Sequence, residues 1–297
     1  MTQRCFSIPI VLGILLAGLG RSDARQAVTT NLAAYWPLDS FASNATPDAS
    51  GGGHDATQST ASKQPTTAPG LFAGALDFDG TDDFLSAPDS PGLNVGSGSF
   101  TVAAWVKRGG TTADRILNKW DNTKGWLFDI NAGSGGAVSP GFVRIKMSDG
   151  TNNVDYFVDA GLSTGAWTHL AATIDRTAKQ LKLYANGTQI GTTQTLPAAL
   201  GSLTNGAALG IGTIPTNAGN NFDGALDEVR LYTAALTQAQ VLTLVQPLPP
   251  TALTGTPPPP TTPGRSTWPG PRPRARSRTA CTAPSPRAAD TSRSRRA

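Results

Sequence analysis

The chain has 297 residues and a formal charge of +4, room for one large β domain or two small ones. That charge averages unlike pieces: nine arginines from Arg265 to Arg296 face a single acid, Asp290, while residues 26–246 hold 12 basic and 18 acidic groups, a net −6. An acidic body lacks the positive footprint that phosphate contacts require, which excludes nucleic acid as its expected partner.

In chain order, the sequence opens on Arg4 and an apolar run from Ile8 to Leu19. The run is short of the ~20 residues a membrane-crossing helix needs and fits the apolar region of a secretory signal. With Ser22-Asp23-Ala24 as the cleavage stretch, residues 1–24 are predicted to be a signal peptide and 25–30 a linker. The expectation is a secreted or cell-surface protein with no membrane span in the mature chain; an uncleaved anchor is the alternative. Cys5 and Cys281 both lie outside residues 31–246, so that stretch can hold neither a disulfide nor a thiolate site. It must be stabilised by burial alone, which a chain of roughly 215 residues can achieve.

Ala33 to Leu38 reads as a first strand, and 39–70, rich in Gly, Ser, Thr, Asp and Pro, as one long loop. From Ala75, short β-branched and apolar runs recur between turn residues. They predict strands over 75–78, 84–87, 100–107, 115–119, 126–130, 142–147, 154–158, 167–175, 180–185, 207–211 and 225–232. Asn186-Gly187 is a strong two-residue hairpin signal, because both central residues of a type I′ turn need positive φ. Asp149-Gly150 offers a second such turn. Thr237 with Gln240 has the capping-box pattern, predicting a short helix that Pro247 stops and that plugs the open end of a sandwich.

Residues 247–297, rich in Pro and Arg and without apolar periodicity, are expected to be disordered. They read either as a basic tail for anionic surfaces or as the remnant of a fibronectin type III-like domain opening at Pro250, read out of frame beyond residue 256.

Four segments in order resemble laminin-G-like domains of the concanavalin A-like lectin/glucanase superfamily, especially the bacterial type. They are Ala34-Tyr35-Trp36-Pro37-Leu38-Asp39 with Asp48 to Asp55; Gly74 to Leu85 running on to Phe100–Lys107; Trp167–Asp175 with Leu181 to Gly187; and Phe222–Tyr232 with the helix opening at Thr237. The resemblance implies an all-β fold over 31–246: a two-sheet antiparallel jelly-roll sandwich with one short C-terminal helix. It implies much less about function, because the fold hosts lectins, adhesins, spacers and enzymes.

Retaining glycosidases of this fold use two nearby carboxylates, typically Glu residues on one strand. Here Glu228 is the only Glu, and His54 and His169 lack a Ser or Cys partner. No catalytic residues are therefore assigned. The resemblance does imply a structural calcium ion joining the early Asp-Ser-Gly loop to the late Asp-Glu strand. The matching residues are Asp48 and Asp227, with Asp39 and Asp223 as secondary candidates, oxygen ligands of the kind calcium takes. The alternative is that Asp48 caps a turn and Asp227 is a solvated strand charge. The run Asp77 to Asp83 resembles an EF-hand fragment but reads as a tight turn.

For sugar binding, Trp120, Trp126 and Tyr156 lie at strand ends or loop edges with Asn122 and Asn153 close by; Trp126 reads equally well as core. Trp36, Trp105 and Trp167 read as core. The expected function is a secreted, non-catalytic module binding a glycan or extracellular surface ligand. A structural spacer of a larger extracellular protein and a glycan-active hydrolase are the rivals.

Overall fold

The computed structural model describes residues 29–133, 137–215 and 219–246. Contacts divide the chain into two units, Met1–Leu248 and Pro249–Ala297. The signal, both cysteines and the Pro/Arg-rich tail lie outside the described residues, as do residues 25–28 of the linker.

The strands are β1 (Leu32–Trp36), β2 (Ala45–Thr46), β3 (Ala56–Thr57), β4 (Thr66–Pro69), β5 (Gly74–Asp79), β6 (Leu85–Ala87), β7 (Phe100–Arg108) and β8 (Asp114–Trp120). They continue as β9 (Lys124–Ala132), β10 (Val138–Asp149), β11 (Asn153–Asp159), β12 (Trp167–Asp175), β13 (Gln180–Ala185), β14 (Thr188–Thr195), β15 (Leu209–Ile211) and β16 (Asp223–Tyr232). One α-helix follows, α1 (Gln238–Leu244).

Two antiparallel sheets result. The first runs β14-β13-β12-β7-β16-β5-β4, with β1 also on β16; the second runs β11-β10-β9-β8-β15-β6-β3-β2. Alternate residues of each sheet meet between them. Trp36, Phe78, Phe100, Val102, Leu183 and Leu226 come from the first sheet, and Trp126, Phe128, Ile145, Met147 and Ile211 from the second, all buried in one core. This is the sandwich expected from period-two patterning.

Local chemistry shapes two of the hairpin turns. Asn186 (φ 48°) and Gly187 (φ 77°) make the β13–β14 hairpin, as the type I′ reading requires. The Asp149-Gly150 expectation fails in detail. The β10–β11 register ends at Ser148–Asn153, and a backbone bond from Asp149 N–H to the Asn152 carbonyl (3.2 Å) leaves Gly150-Thr151, not Asp149-Gly150, at the tip. There the Asp149 carboxylate accepts the Thr151 and Asn152 N–H groups, both at 2.7 Å, an aspartate turn that shifts the tip by one residue.

The long loop expected over 39–70 is also broken up. It contains β2, β3 and β4, which pair onto existing strand edges. Their Ala, Thr and Pro residues give no alternation to read, so pairing is imposed by the neighbouring strands.

Helix α1 does form its capping box. It does not plug the sandwich, however. Leu236, Val241 and Leu244 pack on Ala103, Ala171, Tyr184 and Tyr232, the residues of the first sheet that alternate with those in the main core. The helix therefore adds a third layer on that sheet's outer face.

At one edge of the sandwich, β11 and β14 close on one another. The Tyr156 hydroxyl donates to the Thr192 carbonyl (2.8 Å) and accepts from the Thr192 N–H (3.0 Å).

Candidate functional site

Strand register assembles a site on the outer face of the second sheet. Directly opposed residues in antiparallel strands project to the same side. Three rows cross β8, β9, β10 and β11 in that order: Arg115–Asp129–Arg144–Phe157, Asn118–Leu127–Lys146–Asp155 and Trp120–Gly125–Ser148–Asn153. The intervening rows, with Phe128 and Ile145 or Trp126 and Met147, enter the core.

The first row is a charge relay. Arg115 Nη1 meets Asp129 Oδ2 at 2.6 Å, and Arg144 Nη1 lies 3.6 Å from the same oxygen. Arg144 also forks onto Asp155, Nε to Oδ1 at 2.6 Å and Nη2 to Oδ2 at 2.9 Å. Asp129 is fully buried, and burial pushes its carboxyl above the usual range against the pull of Arg115 and Arg144. Asp129 Oδ1, Arg115 Nε and Asn118 Oδ1 have no hydrogen-bond partner, an unusual concentration for buried polar groups.

Aromatic rings flank this relay. Phe142 and Phe157, both half-buried, stand 6.2 Å apart at its open edge. At the other end Lys146 Nζ sits 5.3 Å from the Trp120 ring. Trp120 packs on Leu127 and Ile214, away from the main core.

The residues singled out from sequence are only partly brought together. Trp120 and Asn153 share one row, and Asn122 (φ 81°) is exposed in the β8–β9 turn beside Trp120. Trp126 is a correction. It is 1% exposed and packs against Phe100 in the core, because it alternates with the outward row. Tyr156 also points inward and uses its hydroxyl on Thr192. Sequence reading missed Arg115, Asp129, Arg144, Phe142 and Phe157. The signal was present: in Phe142-Val143-Arg144-Ile145-Lys146-Met147 every second residue is a core aliphatic or Met, so the others must face outward.

The four expected calcium ligands do not all converge: Asp39 adds to the negative charge felt by Asp227, but Asp48 and Asp223 do not join them. Asp48 Oδ1 accepts from the Tyr35 and Ser50 N–H groups, both at 2.9 Å, and Oδ2 from His54 N–H at 3.0 Å. Those donors point where a cation would sit, so Asp48 caps a turn. Asp39 accepts from Gly74 N–H. Asp227 Oδ2 accepts from Leu71 N–H at 3.0 Å and holds the 70–74 turn, while Oδ1 is buried without a partner. Burial pushes the Asp227 carboxyl up to about 7. Asp223 lies elsewhere, opposite Asp79. The residues as arranged do not fit one shared ion. Among the described residues the carboxylate group close enough for that is Asp79, Asp82 and Asp83; Asp79 and Asp83 accept N–H bonds within their own turn, and Asp82 lies 3.9 Å from Lys63 Nζ.

Glu228 sits at a bulge in β16, with φ 56°. A bulge re-aims the side chain, here onto Arg230 and the Tyr35 hydroxyl. His169 is buried against Trp105 (ring centroids 5.5 Å apart), and burial lowers its pKa to about 3. Trp36 lies in the main core, whereas Trp105 lies on the outer side of the first sheet under Phe72; Trp167 is half-buried.

Two antiparallel sheets packed around one core define a jelly-roll sandwich. Residues 79–242 match the laminin-G family model of the Concanavalin A-like lectin/glucanases superfamily, and the chain belongs to that family. No curated protein sequence matches the chain.

Among solved structures, domain 4 of AbnA, a GH43 extracellular arabinanase from Geobacillus stearothermophilus in complex with arabinotriose, is similar at 24% identity and TM-score 0.56, over 73% of this chain and 98% of that one. The binding domain of Paraclostridial Mosquitocidal Protein 1 is similar at 19% identity and TM-score 0.58, over 73% and 52%. The Botulinum neurotoxin serotype D ligand binding domain in complex with N-acetylneuraminic acid is similar at 15% and TM-score 0.56, over 75% and 52%. The chain thus spans about half the length of those two toxin domains. These likenesses establish the shared fold. No described helix is long and apolar enough to cross a membrane.

Proposed function

We propose that the chain is a non-catalytic carbohydrate-binding module, secreted through its N-terminal signal, and that it binds glycans on the outer face of the second sheet. The observation carrying this reading is the half-buried pair Phe142 and Phe157 beside the Arg144–Asp155 fork. Apolar ring faces with adjacent fixed donors and acceptors suit a sugar, which has an apolar face and a hydroxyl rim. Lys146 and Asn153 extend the polar rim along the same face.

The glycans named for the AbnA domain and the neurotoxin domain support this class of ligand. A binding rather than hydrolytic role is supported by Glu228, whose carboxylate is engaged by Arg230 and Tyr35 and has no second Glu to work with.

A glycan array probed with the full chain tests the reading. Binding to a defined glycan, lost in Phe157→Ala and weakened in Asp155→Ala, is expected. Binding untouched by both substitutions would move the site elsewhere, and hydrolysis of the bound glycan would overturn the non-catalytic part.

A further inference from the structure

A concave surface lies on the outer face of the first sheet, on the far side of the sandwich from the Phe142–Phe157 face. There β12, β13 and β14 meet the segment that leads into α1, enclosing a cleft of about 230 Å³. That is below the ~300–1,000 Å³ of pockets that bury drug-sized ligands, and it suits a single ring.

The floor is strand-built. Thr173 opposes Lys182, Tyr184 opposes Gln189, and Asp175 opposes Gln180 in the sheet register; all six line the cleft. The wall, from Ala235 to Gln238, is pinned from beneath. The Thr101 hydroxyl donates to the Ala234 carbonyl at 2.8 Å and accepts from Leu236 N–H at 2.9 Å. Capping of α1 is completed by Thr237 and Gln240 themselves, so the wall is not held by anything in the cleft. Both sides therefore sit on rigid elements, the arrangement that keeps a binding site preorganised.

The lining chemistry selects the ligand. Asp175 and Lys182 cancel in charge, so neither an anion nor a cation is favoured. Gln180, Gln189 and Gln238 each present a side-chain amide with donor and acceptor capacity, Gln189 while also giving one N–H to Thr193 Oγ1 at 3.2 Å. Adjacent donors and acceptors match vicinal hydroxyl groups, which both give and take hydrogen bonds. We propose that this cleft is a second ligand site that takes one neutral sugar ring. It is independent of the Phe142–Phe157 face, and either site can exist without the other.

The test is amide chemical-shift mapping of the isotopically labelled full chain titrated with arabinose, galactose, glucose and N-acetylglucosamine. Saturable shifts at Lys182, Gln189 and Gln238 are expected for at least one sugar. Affinity should fall about tenfold in Lys182→Met/Gln189→Leu, both partly exposed strand positions, and stay unchanged in Phe157→Ala. The variant's own spectrum reports its folding. Absence of saturable shifts at those amides with all four sugars overturns the proposal, as does affinity indifferent to the double substitution. Loss in Phe157→Ala alone would assign the binding to the other face and equally end it.

Discussion

Removing the Asp129 carboxylate should destabilise the fold more than any other single charge deletion on the second sheet. Asp129 is fully buried, and its Oδ2 receives Arg115 at 2.6 Å and Arg144 at 3.6 Å. In Asp129→Ala, Arg144 keeps its fork onto Asp155, but Arg115 loses the one ion pair found for it among the described residues, with its side chain only 10% exposed. Stripping one partner from a buried pair costs about 3–5 kcal/mol. The surviving Asp155 fork argues for the lower end, about 3 kcal/mol. For a domain of this size each kcal/mol moves the melting temperature by about 2–4 °C, so a fall of about 6–12 °C is expected by circular dichroism at pH 7. Asp129→Asn, which can still accept a hydrogen bond, should fall less. The triple variant Arg115→Met/Asp129→Leu/Arg144→Met should recover most of the loss, since apolar replacement of a whole buried network is often neutral or better. A drop below about 2 °C in Asp129→Ala would refute the reasoning, because it would mean that water already solvates Arg115.

Three further outcomes are expected. His169 is held neutral, with its pKa lowered from 6.5 to about 3 by burial and then by Arg230. Its contribution to stability is therefore full above about pH 6.5 and is lost as pH falls toward 3, at no more than about 1.4 kcal/mol per pH unit. His169→Leu should flatten urea-unfolding stability between pH 6 and 4; an unchanged slope would contradict a buried neutral imidazole. Tyr156→Phe should lower stability by about 1 kcal/mol through its lost hydrogen bonds while leaving glycan affinity intact; lost affinity would return Tyr156 to the ligand site. Chelator should leave the melting temperature unchanged, and Asp227→Asn should not destabilise at pH 8, because an amide oxygen still accepts from Leu71 and relieves a carboxylate raised to about 7. A chelator-induced drop would instead show that the Asp48 and Asp227 loops rearrange around an ion.

Much of the sandwich was legible in sequence because alternation is local. Phe100 to Lys107, Trp167 to Asp175 and the Asn186-Gly187 turn each announce themselves within a few residues. The site was less legible because it depends on register, which is a long-range property. Arg115, Asp129, Arg144 and Asp155 come from four strands, and nothing within any one strand shows that they align. The two Trp residues show the same limit. Trp120 and Trp126 look alike in sequence, yet the β8–β9 pairing places Trp120 in the outward row and sends Trp126 into the core. The Asp residues pose a different problem. Whether a carboxylate binds a cation or caps a turn is decided by where nearby N–H groups point, and for Asp48 they point inward from Tyr35, Ser50 and His54.

The hydroxyl of Tyr156 engages both backbone groups of Thr192 on an outermost strand. Those groups are what an incoming strand from another molecule would need for its first pair of ladder bonds. The neighbouring register slip between Leu181 and Leu183 against β14 twists that same margin out of line. Bulges and covered margins are how β proteins avoid templating their own aggregation. One phenol thus acts as a selvedge, finishing a border that two open sheets would otherwise leave available for polymerisation.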